Sequence, residues 1–555
     1  MHRLYQKLKN VFHWARAHFW RAWFGFPDKG IRLYGVTGTN GKTTTCYLID
    51  SILATEYGRE KAGMLTTVGI HIGKKDVLNE TKMTTLKSYE AMKYLRDMKN
   101  AGVTHAVLEV TSHALDQNRL AGLRLEGAII TNIAREHLDY HGTMEEYTAA
   151  KMRILEYIRE GGSFVYKGDD EWIGAALRQI PNPNDQFPIK SQIPPLRHPE
   201  LASPGSKEGS AVQAMTKTMM VSYMSEDAKE VVTLLPGEVN KENVLAASLL
   251  MREAGVSEDA IRRGVDAVTH VPGRMEWIAE KPQTPNPPTS LKLRGAGNDQ
   301  SNPKPPHFAE ATRGRQIPND ERRLPRVLID YAVTPDALER LYRDVRQNTR
   351  GKVYAVLGAC GMRDRGKRPD MARTVAQYAD ELVLTREDPW TESEEQIFGD
   401  LEKGLNEYDG CGESGDRRAT TPAGLAQSEL TPLRRAPEGA GFVGWISFLA
   451  SANGWRKRPA CRQIAVEEDG AKPFAGEVRR GENKNCWRRI TDRREAIKYC
   501  LEKAGAEDVV VVTGKGAETG MAIGKKVIPW NDKAVVLELF EEIRLKRKEK
   551  SNGVA

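Results

Sequence analysis

Seven short apolar runs recur along this chain, and their rhythm limits what it can fold into more than any other feature. Ile31–Gly35, Thr104–Val110, Gly127–Asn132, Arg326–Tyr331, Lys352–Gly358, Ala379–Thr385 and Asp508–Gly514 read as buried strands. Each is followed by a loop and a helix-like pattern, as in βαβ units around a parallel sheet. At 555 residues the chain is too long for one compact core, so two or three domains are expected. Three stretches break the rhythm. Residues 180–212 are rich in Pro, Ser and Lys, 280–325 in Pro, Asn, Gly and Arg, and 406–488 mix Gly, Arg and Glu without a sustained period. They read as solvated insertions between elements.

Composition removes several classes of function. Lys and Arg number 83 against 75 Asp and Glu, and the resulting charge of +8 is too small for a dedicated nucleic-acid binder of this length. No run of eighteen apolar residues offers a transmembrane helix. Cys46, Cys360, Cys411, Cys461, Cys486 and Cys500 lie far apart with no CxxC pair. That argues against a zinc ribbon or disulfide framework and fits a reducing compartment. A cytoplasmic, monomeric, multidomain protein is expected.

Ahead of the first strand, Leu4, Leu8, Val11, Phe12, Ala15, Phe19 and Trp23 recur at spacings of three and four, which predicts an amphipathic helix within 1–27. Arg16 and Arg21 interrupt any signal-peptide core. Periodicity alone favours a stripe packed against the next domain. The other reading is a basic, Trp-rich helix on a membrane surface.

The strongest local signal is Tyr34-Gly35-Val36-Thr37-Gly38-Thr39-Asn40-Gly41-Lys42-Thr43-Thr44-Thr45, where a strand ends in a Gly-rich turn and a helix begins at Lys42. Glycines let backbone N–H groups converge on phosphate oxygens, and the helix N-terminus adds a favourable field. Lys42 would reach the terminal phosphates and Thr43 would offer its hydroxyl to Mg2+. Val36 stands where a strict Walker A has glycine. Downstream, Leu108-Glu109-Val110-Thr111-Ser112-His113-Ala114-Leu115 and Thr131-Asn132-Ile133-Ala134-Arg135-Glu136-His137 both leave strand ends, where open α/β sheets place ligands. Glu109 is either a buried, paired carboxylate or an oxygen ligand for a metal–nucleotide.

Together these segments resemble the Mur ligase family, and within it the tripeptide synthetases that add the third amino acid of the peptidoglycan peptide. The resemblance continues through Thr84-Thr85, Gln117 to Arg119, Lys151, Leu235-Pro236-Gly237, Asn240, Asn243 and Val271 to Glu276. It resumes in Asp330 to Asp336, Gly361 to Pro369, Glu387-Asp388-Pro389-Trp390, Asp492-Arg493 and Gly514 to Glu518. It implies an α/β fold, with a P-loop central domain on a parallel sheet (28–278) followed by a Rossmann-like C-terminal domain (279–555). It also implies an ATP- and Mg2+-dependent ligase that phosphorylates a substrate carboxylate and lets an amine displace the phosphate.

By this resemblance Gly38, Thr39, Asn40, Gly41, Lys42, Thr43 and Thr44 cradle the triphosphate, with Thr43 and Glu109 on one metal. Lys151 matches a carbamylated lysine and His137 a residue beside a second metal, so Lys42, Lys151 and His137 carry catalysis. Asn240 and Asn243 fall on the adenine side, Arg274 and Asp330 at phosphate and ribose. Thr84, Thr85, Thr111, Gln117 and Arg119 match holders of a muramoyl dipeptide nucleotide. Arg363, Glu387, Asp388, Pro389, Trp390, Gly514 and Glu518 match positions that recognise the incoming amino acid, and the acidic pair Glu387-Asp388 suits a distal ammonium. A diamino acid is expected, diaminopimelate ahead of lysine.

The chain departs from the family pattern at several points. About thirty residues precede the phosphate loop, where a UDP-binding domain is usual. Trp390 stands in place of an arginine that can hold a carboxylate bidentately, and Val333 and Ala517 stand where histidines are common. Two other readings remain: a ligase for another γ-glutamyl acceptor, and an inactive nucleotide-binding scaffold. Keeping Lys42, Glu109, His137 and Lys151 together argues against the scaffold.

Segments that bury little apolar surface are cleaved first. Limited proteolysis should therefore cut within 180–212, 280–325 or 406–488 before it touches the motif-bearing segments. Protection of all three, with cleavage elsewhere, would show that they fold.

Overall fold

The computed structural model describes residues 2–79, 85–179, 218–278, 324–406 and 486–552. The three stretches read as insertions lie almost entirely outside these residues, as does Thr84.

All seven expected strands are present, with ends within two residues of those anticipated. The first sheet comprises β1 (Arg32–Thr37), β2 (Ala62–Leu65), β3 (Gly69–Ile72), β4 (Lys75–Leu78), β5 (His105–Glu109), β6 (Leu125–Ile130), β7 (Ile158–Lys167) and β8 (Met219–Tyr223). Their order is β4-β3-β2-β5-β1-β6-β7-β8. β2, β5, β1, β6, β7 and β8 are parallel, and the β2–β3–β4 edge is antiparallel.

Both faces of this sheet are covered. The helices are α1 (His2–Trp23), α2 (Lys42–Tyr57), α3 (Ser88–Asn100), α4 (Ser112–Asp116), α5 (Leu138–His141), α6 (Met144–Met152), α7 (Glu171–Arg178), α8 (Glu238–Glu253) and α9 (Glu258–Asp266). Along β1, Leu33 points into the core shared with α3, α6 and α7. Tyr34 and Val36 point the other way, into the core shared with α2, α8 and α9. This alternation is why the central strands read as unbroken apolar runs.

The second sheet is built the same way from β9 (Glu276–Ile278), β10 (Arg326–Asp330), β11 (Val353–Leu357), β12 (Glu381–Leu384), β13 (Cys486–Arg489) and β14 (Val509–Thr513). Its order is β13-β12-β11-β14-β10-β9, parallel except for β9. α10 (Pro335–Gln347), α11 (Arg368–Ala376) and α12 (Glu394–Asn406) pack on one face, and α13 (Arg493–Lys503) and α14 (Asp532–Asn552) on the other. A hairpin, β15 (Gly520–Ile523) and β16 (Lys526–Pro529), precedes α14. Two expected boundaries move. β9 belongs to the second sheet, so that unit reaches back to Glu276, and β13 takes residues 486–488 out of the third stretch.

The N-terminal helix packs against the first domain, but not through the expected stripe. Ala17 is fully buried, and Trp20 and Phe24 close on Tyr89 of α3 with ring centroids 4.9 and 5.6 Å away. The small Ala17 lets the backbone approach, and Arg21 pins the helix end to Asp28 through two bonds of 2.8 Å. Val11, Phe12, Phe19 and Trp23 of the stripe face outward.

α13 and α14 are joined at their N-termini by a fully buried ion pair. Arg493 donates to both carboxylate oxygens of Asp532, at 2.8 and 2.7 Å, and to the Thr513 carbonyl at 2.8 Å. Asp532→Ala would strand a guanidinium in the core, a loss of about 3–5 kcal/mol. Urea denaturation reads this directly. A midpoint shift equivalent to under about 1 kcal/mol would show that the pair is not needed.

Candidate active site

The phosphate loop leaves β1 and enters α2 with Gly41 at the cap, in the left-handed region at φ 82°. Gly38 has φ 140°, and a Cβ there would lie 1.9 Å from the Thr131 hydroxyl. Only glycine fits a loop packed this tightly on the end of β6. The loop is tied down by its neighbours. Asn40 N–H donates to the Asn132 side chain at 3.0 Å, Thr131 donates to the Asn40 carbonyl at 2.6 Å, and Thr39 meets the Tyr147 hydroxyl at 3.0 Å. Lys42 curls back over the loop, its ammonium donating to the Gly38 and Thr39 carbonyls at 3.1 and 2.8 Å.

Glu109, at the end of β5, is buried and fully engaged. It accepts from the Thr43 hydroxyl at 3.0 Å and from the Thr67 N–H and hydroxyl at 2.9 and 3.0 Å. Arg274 reaches the Thr43 hydroxyl at 3.2 Å and lies 4.3 Å over the Tyr331 ring. Asp330 accepts from the N–H groups of Met275 and Ala332 at 2.6 and 2.7 Å, and burial raises its pKa. Asn240 and Asn243 are buried and bonded to each other at 2.9 Å on the first turn of α8, facing Gly41.

Lys151 sits beneath the loop rather than on the cleft wall. Its Nζ donates to the Gly38 carbonyl at 2.6 Å and lies 4.7 Å over the Tyr147 ring. Burial, and then the nearby Lys42 charge, push its pKa well below the ordinary lysine range. His137 holds a left-handed conformation, φ 56°, at the start of α5, with Glu136 at 3.7 Å. Burial lowers the His137 pKa to about 4, so the ring is neutral at ordinary pH. Burial alone would raise Glu136, yet its electrostatic interactions with His137, Lys367, Lys42 and Lys151 hold it at about 2. His113 packs edge-on to His137 at 4.7 Å, and burial lowers its pKa to about 2.

On the acceptor side, Thr85 and Thr111 are locked to one another, with Thr111 N–H donating to the Thr85 hydroxyl at 2.8 Å. Arg119 donates to the Thr85 carbonyl at 2.8 Å and to Gln117 at 3.0 and 2.8 Å. Gln117 is thus a support for the arginine and does not line the cleft, which Thr85, Thr111 and Arg119 do.

On the opposite side, Arg363, Glu387, Asp388, Trp390 and Glu518 line the same cleft, of about 460 Å³. Pro389 and Gly514 do not line it. Pro389 packs on Gly361, and Gly514 backs onto the Glu387 carboxylate. The expectation of a free acidic pair needs correction. Asp388 accepts from Lys515 at 2.8 Å and from the Ala522 N–H at 2.6 Å, so its charge is compensated, and Lys515 also pairs with Glu518. Burial pushes Glu387 up to about 7. Trp390 is in the left-handed region at φ 52°, pinned by backbone bonds to Ala522 and Gly524. Cys360 also lines the cleft, and burial raises its thiol to about 12.

Thr67, Glu136, His113, Lys367, Lys515 and Cys360 were not singled out by motif. Glu136, His113, Lys367 and Lys515 lie inside the motifs above, but Thr67 carries no sequence signal at all. Thr43 and Glu109 present a hydroxyl and a carboxylate, hard oxygen donors suited to Mg2+. Among the described residues, no three His, Cys, Asp or Glu side chains converge to hold a metal by themselves. A cation here would therefore rely on Thr43, Glu109 and substrate oxygens.

Residues 36–251 match the Mur ligase middle domain family, and residues 315–426 the Mur ligase glutamate ligase domain family. A UDP-N-acetylmuramoyl-L-alanyl-D-glutamate--2,6-diaminopimelate ligase of Geobacillus thermodenitrificans is 29% identical over 531 residues, covering 94% of this chain and 81% of that protein. A protein of the same name from Gloeobacter violaceus is 32% identical, over 69% of this chain and 67% of its own length. A UDP-N-acetylmuramyl-tripeptide synthetase of Roseiflexus sp. is 31% identical, over 70% and 69%.

Glu387 supplies a pH signature. A carboxyl whose folded pKa is about 7, above the ordinary 4.5, stabilises the fold fully below pH 4.5 and loses that contribution as pH rises through 7. Replacing it with the neutral isostere should remove this slope. Wild type should lose up to about 3 kcal/mol relative to Glu387→Gln across that window. Parallel unfolding curves for the two proteins at every pH would show that Glu387 titrates normally.

Proposed function

Because this chain belongs to the Mur ligase family, we propose that it is an ATP-dependent, ADP-forming amide ligase that adds a diamino acid to UDP-N-acetylmuramoyl-L-alanyl-D-glutamate. The reaction is a step of peptidoglycan precursor synthesis. One observation carries the reading: a single cleft is lined by the phosphate loop and Glu109 from the first sheet and by Arg363, Glu387 and Trp390 from the second. A nucleotide, an acceptor carboxylate and an amine can meet there. The names of the aligned relatives support the choice of acceptor and amino acid.

A carboxylate is a poor electrophile, and the γ-phosphoryl group of ATP converts it to an acyl phosphate with a good leaving group. The protein's task is to position the partners and neutralise charge. The loop amides and the α2 N-terminus receive the phosphates, and Lys42 swings from the loop carbonyls to the transferring group. Thr43 and Glu109 would hold Mg2+, which when bound neutralises phosphoryl charge. Arg119, fixed by Gln117 and Thr85, faces the acceptor. His137 is neutral and Glu136 ionised, so His137 offers a lone pair beside a fixed negative charge. Lys151, as a free amine of depressed pKa, is suited to carbamylation, which would turn a buried neutral amine into an anionic ligand near the phosphates. Retaining all of these groups is more than a nucleotide-binding scaffold requires.

Arg363 is the cation we assign to the amino acid's carboxylate, and a partly exposed Trp390 closes the pocket in place of a second guanidinium. Diaminopimelate is the amine we favour.

Lys42→Ala should cut ADP release, measured with the muramoyl dipeptide nucleotide and diaminopimelate, by about 100-fold or more while melting like wild type. Near-normal turnover in the folded variant would sink the phosphate-loop assignment. Trp390→Arg should raise the ratio of kcat/KM for diaminopimelate over lysine by about tenfold, through a bidentate carboxylate contact. An unchanged ratio would remove Trp390 from the pocket.

A further inference from the structure

The outward face of α1 is apolar, aromatic and exposed among the described residues. Val11, Phe12, Phe19 and Trp23 are 65, 62, 53 and 68% exposed, and their spacing puts them on one side of the helix. Of eighteen exposed large hydrophobic residues among the described residues, six fall between 11 and 26. That is a patch, not the usual scatter of single exposed side chains. The other face, through Ala17, Trp20 and Phe24, already holds the helix to the domain.

The charge around this patch is mainly positive. Residues 2–23 contain five Lys or Arg and no Asp or Glu, although the chain as a whole is nearly balanced. Arg16 lies 5.8 Å from the Phe12 ring and Lys29 4.8 Å from the Phe26 ring, so cations bracket the aromatic stripe. α3, packed alongside, turns Lys93, Arg96 and Lys99 to solvent. No helix among the described residues is long and apolar enough to cross a membrane.

We propose that α1 docks the enzyme on an anionic lipid surface, its rings at the acyl boundary and the flanking cations among the headgroup phosphates. A second copy of the chain is the poorer occupant, because it would bring two helices of five cations and no anion face to face. On its packed side α1 meets α4, where Asn10 reaches Asp116 at 3.4 Å.

The test uses the full chain and vesicles of phosphatidylcholine with or without phosphatidylglycerol. Co-sedimentation with anionic vesicles is expected, with a blue shift of tryptophan emission and weakening at high salt. Combined Phe12→Ser, Phe19→Ser and Trp23→Ser should reduce vesicle partitioning at least tenfold while lipid-free ADP release stays unchanged. Lys93→Glu with Arg96→Glu and Lys99→Glu keeps every ring of the stripe and should weaken binding to anionic vesicles alone. Failure to bind anionic vesicles, or equal binding by the serine variant, overturns the proposal. So does a dimer in sedimentation velocity that the serine substitutions dissolve, which would make the stripe a self-association surface.

Discussion

The site depends on one buried carboxylate. Glu109 ends β5, between β1 and β2, and its oxygens are taken by Thr43 on the first turn of α2 and by Thr67 just beyond β2. One side chain thereby registers the phosphate loop against two neighbouring strand ends. A buried carboxylate with three donors is stable where a bare one would not be. The arrangement also leaves a hydroxyl and a carboxylate adjacent at the helix N-terminus, as a metal–nucleotide requires. Structural satisfaction and ligand readiness are the same set of bonds.

The charges of the cleft are divided by burial more than by composition. On the nucleotide side, interactions with His137, Lys367, Lys42 and Lys151 hold the Glu136 pKa low. Toward the amino acid the acids are muted: Asp388 is spent on Lys515 and Ala522, and Glu387 is raised to about 7. Arg363 is then the charged group best placed to select a carboxylate. On the proposed function, the second sheet would contribute recognition and the first phosphate chemistry.

Much of this was legible in the sequence, for reasons that differ by element. The central strands announce themselves because both faces are buried, which forces unbroken runs such as Val509–Thr513. The phosphate loop is legible because close backbone approach admits only glycine at Gly38. Edge elements were not. β2 reads Ala-Gly-Met-Leu and β15 Gly-Met-Ala-Ile, without the β-branched density that marks a strand. Thr67 was invisible because a lone loop threonine resembles any other. The facing of α1 could not be read either. Aromatic residues lie on several sides of it, and the choice rests on Ala17 being small enough to sit against the domain.

The ionisation state of the Cys360 thiol has a consequence for side reactions. An acyl phosphate is an electrophile that any nearby nucleophile can intercept. Cys360 stays a thiol because its pKa is about 12, and the hydroxyl of Tyr331 is likewise held far from ionising. The one lysine amine held below its ordinary range among the described residues, Lys151, is turned under the loop toward Gly38. The thiol and the phenol of the cleft wall are therefore poor nucleophiles toward the activated acyl group, held so by ionisation state, while the Lys151 amine is kept away by its position.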